Sequence, residues 1–300
     1  MKNFNELEKI CEKYGAVFKT NAPLAPYTTF KIGGACDFLI KVNSRELLQE
    51  IVRSEIPFHI LGNGSNVLVS DEGFRGVVLL LGEEFSYITA DGNDGVVTCG
   101  AGASLVALCL EARDNALSGL EFAYGIPGTV GGAVYMNAGA YDGEMSHVVH
   151  ECMYIDENGE IKYLNCLGNQ EFGYRKSPFT ATGKIILGVL MVLDFGDKAQ
   201  ITAKMEDFMG RRREKQPLEF PSAGSTFKRP EGDYASRLID VCGLKGLSVG
   251  GAQVSEKHAG FIINRGGATC KDVLDLIELV KERVFKETGI ILEREVEIWK

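Results

Sequence analysis

Ser225 stands in a segment that would leave its hydroxyl accessible for chemistry. In AGSTFK (223–228) its neighbours are small, and Lys228 brings a cation close to it in the chain. A serine acts as a nucleophile only beside an activating base, and neither a histidine motif nor a G-x-S-x-G elbow accompanies this one. We therefore favour transfer of a proton by this hydroxyl over acyl transfer. A serine in an ordinary turn is the simpler alternative.

Arg175 and Glu295 are two further residues whose surroundings suggest chemistry. Arg175 follows a glycine and a tyrosine in GYRKS (173–177), and its planar guanidinium suits a carboxylate or a phosphate. Glu295 lies in EREVE (293–297), an alternating stretch that predicts a strand with its three glutamates on one face. A surface arginine and a solvated strand face are the corresponding alternatives.

Composition restricts the function of the chain. Its 300 residues include 36 glycines, and the net charge of −9 argues against nucleic acid and anionic membranes as partners. The eight cysteines and four histidines show no metal-ligand spacing, so we predict no metal site and mostly buried, reduced cysteines. Neither a membrane-spanning apolar run nor a signal-peptide core occurs in the sequence, which predicts a cytoplasmic protein.

Glycine is concentrated in three clusters, at 62–66, 100–104 and 125–145. Glycine lets a ligand approach bare backbone, and backbone N–H groups can cradle phosphate oxygens. The second cluster is not a dinucleotide fingerprint, because Leu105 holds the position of the third glycine, and no P-loop motif occurs. We expect the clusters to line one long ligand from several sides, and a flavin dinucleotide fits. A tight structural loop is the alternative reading of each cluster.

Periodicity and capping residues predict the elements that carry these motifs. Helices are predicted at 5–14, 44–54, 105–116, 199–215, 235–246 and 271–288, with a helix-like piece at 129–136. Strands are predicted at 57–61, 67–70, 76–81, 85–90, 95–100, 148–155, 161–165, 184–195 and 290–299. We place three domains at 1–82, 83–198 and 199–300, and the last strand could return to an earlier domain.

Six stretches of the chain together resemble the UDP-N-acetylenolpyruvoylglucosamine reductases, the flavoenzymes of bacterial peptidoglycan precursor synthesis. They are TTFKIGG, LGNGSNVLVSD, GIPGTVGGAVYMNAGAYDGE, GYRKS, AGSTFK and LEREVEI. The short segment between GYRKS and the basic helix is similar to the shorter class of the family, which lacks an added tyrosine-bearing loop. The resemblance implies an α+β fold: a vanillyl-alcohol-oxidase (PCMH-type) FAD-binding fold in two subdomains, followed by a C-terminal α+β substrate-binding domain.

The resemblance also implies a reaction. NADPH reduces non-covalently bound FAD and leaves, UDP-N-acetylglucosamine enolpyruvate takes its place, and a hydride passes to C3 of the enolpyruvyl group to give UDP-N-acetylmuramate. The residue matching the proton donor to C2 is Ser225, and those matching the stabilisers of the enolate-like intermediate are Arg175 and Glu295. Glu295 must be protonated to donate a hydrogen bond there, so we expect burial to raise its pKa. Such a reaction serves cell-wall biogenesis, and with it cell shape and cell division.

The remaining site residues are expected from the same motifs. Cofactor contacts are expected from Thr29, Gly62, Asn63, Gly64, Ser65, Asn66, Ala101, Gly102, Gly125, Ile126, Pro127, Gly128, Val130, Gly131, Gly132, Asn137, Ala138, Gly139, Ala140 and Val189. Substrate contacts are expected from Tyr174, Lys215, Gly224 and Lys228. One departure is Glu297, where family members commonly have arginine. It puts a substrate contact from that position in doubt, with Arg294 or Arg229 as possible substitutes.

Other readings stay open at this point. The chain could be another flavin oxidoreductase of the same fold, or a non-catalytic nucleotide-binding module in which Ser225 and Glu295 are structural. Under the reductase hypothesis we expect a monomer whose partner is the enolpyruvyl sugar nucleotide. We expect neither nucleic acid nor a membrane as a partner.

Overall fold

The computed structural model describes residues 4–300, and the chain divides into two compact units. Unit 1 comprises the residues up to Lys19 together with Phe38–Gly62 and Val77–Gly210. Unit 2 comprises Thr20–Asp37, Asn63–Gly76 and Arg211–Lys300. Each unit is therefore built from several separate stretches of sequence. The predicted domains were three continuous stretches, and their boundaries stay a prediction.

Seven helices occur in the described part of the chain. They are α1 (Phe4–Lys13), α2 (Arg45–Arg53), α3 (Leu105–Asp114), α4 (Val130–Tyr135), α5 (Lys198–Lys215), α6 (Ala235–Val241) and α7 (Cys270–Thr288). All six predicted helices and the short helical piece are confirmed. Short 3₁₀ helices lie at Ala25–Tyr27, Glu83–Phe85, Glu121–Ala123 and Met145–His147. No helix within residues 4–300 is long and apolar enough to cross a membrane.

Capping side chains set the helix starts as expected. Ser44 Oγ accepts from the N–H of Leu47 at the start of α2. Thr269 and Asp272 form a complete capping box at the start of α7, each side chain accepting a backbone N–H of the other. The helix predicted at 235–246 is shorter than expected, because Gly243 turns into the left-handed region at φ 66 and α6 ends at Val241.

The strands are β1 (Phe18–Pro23), β2 (Ala35–Val42), β3 (Phe58–Ile60), β4 (Val67–Val69), β5 (Phe74–Leu81), β6 (Ile88–Ala90), β7 (Val96–Gly100), β8 (Leu117–Ser118), β9 (Gly139–Ala140), β10 (Gly143–Glu144), β11 (Val149–Ile155), β12 (Ile161–Asn165), β13 (Ile185–Val192), β14 (Asp194–Phe195), β15 (Ser222–Ser225), β16 (Ser248–Val249), β17 (Ala252–Val254), β18 (Phe261–Asn264) and β19 (Glu297–Trp299). All nine predicted strands overlap observed ones. The sequence analysis missed β1, β2, the two-residue strands β8, β9 and β10, and the strands between 222 and 264.

A five-stranded sheet lies in unit 1. Its order is β12-β11-β13-β7-β6, and every neighbouring pair is antiparallel. The strands predicted at 148–155, 161–165 and 184–195 are therefore confirmed, and they are antiparallel neighbours in this sheet. The core beside this sheet includes α3 and α4 through Leu105, Leu108, Val130 and Val134, each fully buried. This packing fixes the start of α3, which follows the second glycine cluster, and the start of α4, which lies within the third.

A second core of unit 1 lies under α1 and α2. Leu7, Leu47, Leu48 and Ile51 project from these helices into a buried cluster that also contains Ile40. The sheet at this core has the order β1-β2-β5-β3, with β3 parallel to β5. The unpredicted β2 buries Cys36, Phe38, Ile40 and Val42 on one face, whereas Asp37 and Lys41 on the other face are partly or fully exposed.

Unit 2 is built on a four-stranded antiparallel sheet with the order β15-β18-β17-β16. Residues of α6 and α7, among them Leu238, Ile239, Val273 and Ile277, fill the core beside it. The final strand β19 pairs in parallel with β4, and Glu297 lies opposite Val67.

The strand predicted at 290–299 is wrong over most of its length. Only Glu297–Trp299 is a strand, and the residues before it bond to the 226–228 segment instead. Arg294 forms an isolated bridge with Phe227, and the N–H of Lys228 donates to the carbonyl of Glu293. Glu295 therefore lies on an irregular segment, not on one face of a continuous strand.

Candidate active site

The second and third glycine clusters are hydrogen-bonded to each other in unit 1. The N–H of Gly131 donates to the carbonyl of Ala101 at 2.8 Å, and the N–H of Leu105 donates to the carbonyl of Gly128 at 3.0 Å. These bonds run between the starts of α3 and α4. The structure therefore brings together two of the three stretches that the sequence assigned to one ligand.

Close approach of neighbouring atoms accounts for glycine at two of these positions. A Cβ atom on Gly131 would lie 2.8 Å from the Cβ of Ala101, and one on Gly62 would lie 2.6 Å from Thr129 Oγ1. Thr129 also caps α4 by accepting from the N–H of Gly132 at 3.3 Å. The end of the first cluster that belongs to unit 1 thus contacts the third cluster. Contact of these glycines with a cofactor stays a prediction.

The predicted cofactor residues of unit 1 divide by exposure. Ala101, Val130, Asn137 and Val189 are buried, at 2%, 0%, 1% and 3% exposed. They offer almost no surface, backbone included, and their contacts with a cofactor stay a prediction. The predicted residues that are partly or fully exposed are Gly62, Gly102, Gly125, Ile126, Pro127, Gly128, Gly131, Gly132, Ala138, Gly139 and Ala140. They offer a surface of backbone and small side chains, which fits a flat ring system and a diphosphate.

Asn137 uses its side chain inside the protein. Its Nδ2 donates to the carbonyl of Gly173 at 3.0 Å, and its Oδ1 accepts from the N–H of Ser146 at 2.9 Å. Its backbone has φ 42, a conformation that asparagine tolerates better than most residues. The structure thus places this predicted cofactor residue between the glycine-rich loop and the segment that carries Arg175.

Arg175 lies at the tip of a tight turn. Gly173 and Lys176 exchange backbone hydrogen bonds at 3.0 and 3.1 Å, which leaves Tyr174 and Arg175 as the two central residues. The second central residue has φ 55, a position where glycine is usual. The guanidinium lies 5.0 Å from the ring centroid of Tyr174, and this tyrosine is 52% exposed.

Glu144 is an acidic neighbour of Arg175 that the sequence analysis did not assign. Its carboxylate accepts from Ser146 Oγ at 2.5 Å. Burial opposes ionisation, yet the pKa of Glu144 lies below its ordinary value. Hydrogen bonds from Ser146 and Asn137 lower it, as do the charges of His147 and Arg175. Nothing in the sequence of the loop distinguishes this glutamate from a surface acid.

Ser177 and Thr180 are two further residues whose role the sequence did not indicate. Ser177 is 2% exposed, and its Oγ donates to the carbonyl of Tyr135 at 2.8 Å. Thr180 Oγ1 donates to the same carbonyl at 3.1 Å. Both side chains fasten the segment after Arg175 to the last residue of α4.

In unit 2 the structure brings the Ser225 segment and the Glu295 segment together. Thr226 is 2% exposed, and its carbonyl accepts from the N–H of Glu295 at 2.8 Å. Its Oγ1 accepts from the N–H of Ile262 at 3.1 Å. Two residues distant in sequence, predicted to act on one substrate, therefore lie on hydrogen-bonded neighbouring segments.

A bulge precedes Ser225. The pairing of β15 with β18 shifts register between Ser222 and Ser225, and Gly224 has φ 73. Bulges of this kind bend a strand and redirect the side chains next to them. Ser225 is partly exposed at this bend, whereas Thr226 is buried.

Thr29 and Asn66 join the same part of unit 2. Thr29 Oγ1 donates to the carbonyl of Ser222 at 2.7 Å, and its N–H donates to the carbonyl of Gly64 at 3.2 Å. Asn66 Nδ2 donates to the carbonyl of Glu295 at 3.3 Å. Exposed or partly exposed residues of the same cluster are Asn63 and Ser65.

The cationic residues of unit 2 differ in their surroundings. Lys228 Nζ lies 3.2 Å from Glu293 Oε2, an exposed ion pair of little energetic weight. Lys215 is the exposed last residue of α5. Arg212, three residues earlier, is only 8% exposed, so the basic run is not simply a solvated helix end.

Glu297 and the two arginines considered in its place are also in unit 2. Burial raises the pKa of Glu297 above its ordinary value. Arg294 Nε donates to the carbonyl of Val296 at 2.9 Å, and the guanidinium of Arg229 lies 4.3 Å from the ring centroid of Tyr234. Within residues 4–300, no group of three or more His, Cys, Asp or Glu side chains could hold a metal ion.

Comparisons with known proteins agree with these two sets of residues. Residues 37–165 match the FAD binding domain family. Residues 216–299 match the family described as UDP-N-acetylenolpyruvoylglucosamine reductase, C-terminal domain. A UDP-N-acetylenolpyruvoylglucosamine reductase from Clostridium botulinum (strain Eklund 17B / Type B) is 47% identical over 282 residues, which are 93% of this chain and 91% of the relative. The chain belongs to the UDP-N-acetylenolpyruvoylglucosamine reductase family.

Two more similar proteins extend the match. A UDP-N-acetylenolpyruvoylglucosamine reductase from Clostridium novyi (strain NT) is 47% identical over 297 residues, covering 98% of this chain and 95% of the relative. The crystal structure of UDP-N-acetylenolpyruvylglucosamine reductase from Thermus caldophilus has a TM-score of 0.81 at 40% identity, over 95% of this chain and 99% of that one. The predicted α+β fold with a PCMH-type FAD-binding domain is confirmed, as is the predicted family of enzymes.

Proposed function

We propose that this chain reduces UDP-N-acetylglucosamine enolpyruvate to UDP-N-acetylmuramate with NADPH and FAD, a step of peptidoglycan precursor synthesis. The observation that carries the proposal is the occurrence of two matches in one chain. An FAD binding domain covers residues 37–165 and a reductase C-terminal domain covers residues 216–299. A flavin domain alone would be compatible with another flavin oxidoreductase, and the second match is what selects this reaction.

The cofactor site that we propose in unit 1 is its surface of small residues, Gly62 included, and contacts from Asn63, Gly64, Ser65 and Asn66 stay a prediction. Bound FAD supplies a hydride after NADPH has reduced it. The residues proposed to hold it at Gly125–Gly132 are partly or fully exposed, apart from the buried Val130, and offer backbone to phosphate oxygens. The protein itself then has to bind, orient and polarise the substrate.

Ser225 is the proposed proton donor to C2 of the enolpyruvyl group. Hydride addition at C3 leaves negative charge that spreads toward the carboxylate, and C2 must then receive a proton. A hydroxyl donates only within hydrogen-bond reach of that carbon. The buried Thr226 on one side and the bulge at Gly224 on the other support a fixed direction for this side chain.

Arg175 and Glu295 are the proposed stabilisers of the charge that develops on the substrate. A guanidinium and a protonated carboxyl can both donate hydrogen bonds to an enolate-like oxygen. One such preorganised donor contributes roughly 100-fold to 1000-fold in rate. The hydrogen bond from Glu295 N–H to Thr226 supports a shared site for Glu295 and Ser225. Lys215, Lys228 and the exposed Tyr174 are the proposed contacts of the sugar nucleotide.

The test of the function is a pair of half-reactions without oxygen. We expect purified protein to be yellow, NADPH to bleach it, and the enolpyruvyl sugar nucleotide to restore the colour with formation of UDP-N-acetylmuramate. Bleaching without recovery on adding that substrate would indicate another flavin oxidoreductase. Protein that binds no FAD, and so stays colourless after incubation with FAD and removal of the free cofactor, would indicate a nucleotide-binding module.

The proposal also covers the state in which the enzyme works. A monomer in the cytoplasm, without nucleic acid or a membrane as partner, stays the expectation, and the net charge of −9 supports the weak affinity for nucleic acid. Light scattering during gel filtration should give a mass close to 32.7 kDa. A mass near twice that value would contradict the monomer without affecting the reaction.

A further inference from the structure

We propose that Asn137 is a positioning residue for Arg175, and that its side chain fixes the turn from which Arg175 reaches the substrate. The inference rests on the proposed function of Arg175. It differs from a cofactor contact, because the amide of Asn137 is directed into the protein and is 1% exposed. Both ends of this amide bond to backbone groups, at Gly173 and at Ser146.

The carbonyl of Gly173 is the point at which Asn137 acts. It accepts from the N–H of Lys176 at 3.1 Å and from Asn137 Nδ2 at 3.0 Å, so both of its lone pairs are used. The first of these bonds closes the turn, and the second anchors the closed turn to the glycine-rich loop. Arg175 is only two residues further along the chain.

The conformation of Arg175 makes this anchor necessary. With φ 55, the residue occupies a region that is unfavourable for any side chain with a Cβ atom. A residue stays in such a conformation only where its surroundings hold it. A turn without its anchor can therefore relax and withdraw the guanidinium from its working position.

The other end of the turn is anchored to the same helix end. Ser177 Oγ and Thr180 Oγ1 both donate to the carbonyl of Tyr135, which is the last residue of α4. Asn137 follows two residues later and anchors the Gly173 side. The end of α4 thus holds the turn from both directions, while the start of α4 lies in the third glycine cluster.

The acidic residue beside the turn supports the same arrangement. Glu144 accepts from Ser146 Oγ at 2.5 Å, and Ser146 is also the residue whose N–H donates to Asn137. The carboxylate is thereby tied into the network that holds the turn. A fixed negative charge beside a fixed arginine favours one orientation of the guanidinium.

The decisive variant is Asn137→Gly, because glycine accepts φ 42 without strain and removes only the side chain. In holoenzyme without oxygen, we expect NADPH to reduce the flavin at close to the original rate. Reoxidation by the enolpyruvyl sugar nucleotide should slow by roughly 10-fold to 100-fold, the effect of misplacing one group by about 1 Å. Binding of that sugar nucleotide to the oxidised holoenzyme should weaken in parallel.

A readout independent of turnover is amide hydrogen exchange over residues 173–176, which should accelerate in Asn137→Gly and in Ser177→Ala. The matched control is Ala181→Gly, which places glycine at another left-handed position, φ 58, on an exposed residue of the same connection. It should change neither half-reaction. In an Arg175→Ala background, Asn137→Gly should slow reoxidation no further, because the two residues act through one group.

Three results would overturn the proposal, and they are distinguishable. Loss of FAD affinity together with slower flavin reduction would make Asn137 a cofactor residue. Unchanged exchange over 173–176 would show that its amide does not hold the turn. Normal reoxidation by Arg175→Ala would refute the proposed function of Arg175 itself, and the positioning role with it.

Discussion

Replacing Arg175 by alanine and by glycine separates the contribution of its guanidinium to turnover from the effect of its backbone conformation on folding stability. Both variants remove the charged group, so both should lose the same part of turnover, roughly 100-fold to 1000-fold for one preorganised donor. They differ only in what the chain must adopt at φ 55. Glycine reaches that region freely and alanine does not.

The magnitude follows from the balance of strain and chain entropy. A residue with a Cβ atom lowers the folding stability by about 1–2 kcal/mol when it lies in the left-handed region. Glycine avoids this strain, but it makes the unfolded chain more flexible, which lowers the folding stability by about 0.4–1 kcal/mol. We therefore expect Arg175→Gly to be more stable than Arg175→Ala by about 1 kcal/mol. In a domain of this size that corresponds to roughly 2–4 °C in Tm.

The assay is thermal unfolding of both holoenzymes, with turnover measured on the same samples. The same pair of substitutions at Lys176 is the control, because that residue lies outside the left-handed region, and there alanine should be the more stable choice. An Arg175→Ala variant as stable as Arg175→Gly would refute the strained turn. Turnover retained in either variant would refute the role of the guanidinium.

Three more predictions follow from individual contacts. Glu297→Gln should become progressively more stable than the original chain as pH rises above 4.5, because burial raises the pKa of this glutamate and ionisation then disfavours the folded state. Urea unfolding of both chains at pH 4 and pH 7 checks this, and the same difference in stability between them at both pH values would contradict it. Gly131→Ala should destabilise by about 1–3 kcal/mol, since the new methyl group would lie 2.8 Å from the Cβ of Ala101, and an unchanged Tm would show that the two helix starts can separate. Thr226→Val should cost about 1–3 kcal/mol by leaving the buried N–H of Ile262 without its acceptor, whereas full stability would indicate that another acceptor replaces it.

The helices were predictable because their starts and faces are local features. Ser44 and the Thr269–Asp272 pair indicate the starts of α2 and α7, because their side chains accept hydrogen bonds from backbone N–H groups at those starts. The last strand was not predictable from alternation. Glu293 to Glu295 alternate like a strand, yet their backbone partners lie in residues 226–228, and only the tertiary structure determines which segment is adjacent.

The residue types expected at the candidate site could be predicted from the sequence, but the contacts that each residue makes within the protein could not. Gly131 and Gly62 stood out as ligand-facing glycines, but contacts with Ala101 and Thr129 already require the absence of a side chain there. Asn137 looked like a cofactor residue because it sits in the glycine-rich loop. Its amide bonds to Gly173, a contact across 36 residues that no local pattern contains, and its contact with the cofactor stays a prediction.

Ser225→Ala most directly tests the central claim, that this chain delivers a hydride and a proton to its substrate from different groups. Without oxygen, NADPH should bleach the flavin of this variant at close to the original rate. Reoxidation by the enolpyruvyl sugar nucleotide should fall by roughly 100-fold to 10,000-fold, the usual contribution of a positioned acid. Ser222→Ala, in the same strand, should leave both steps intact. An equal fall in both half-reactions of Ser225→Ala, or none in the second, would contradict the account.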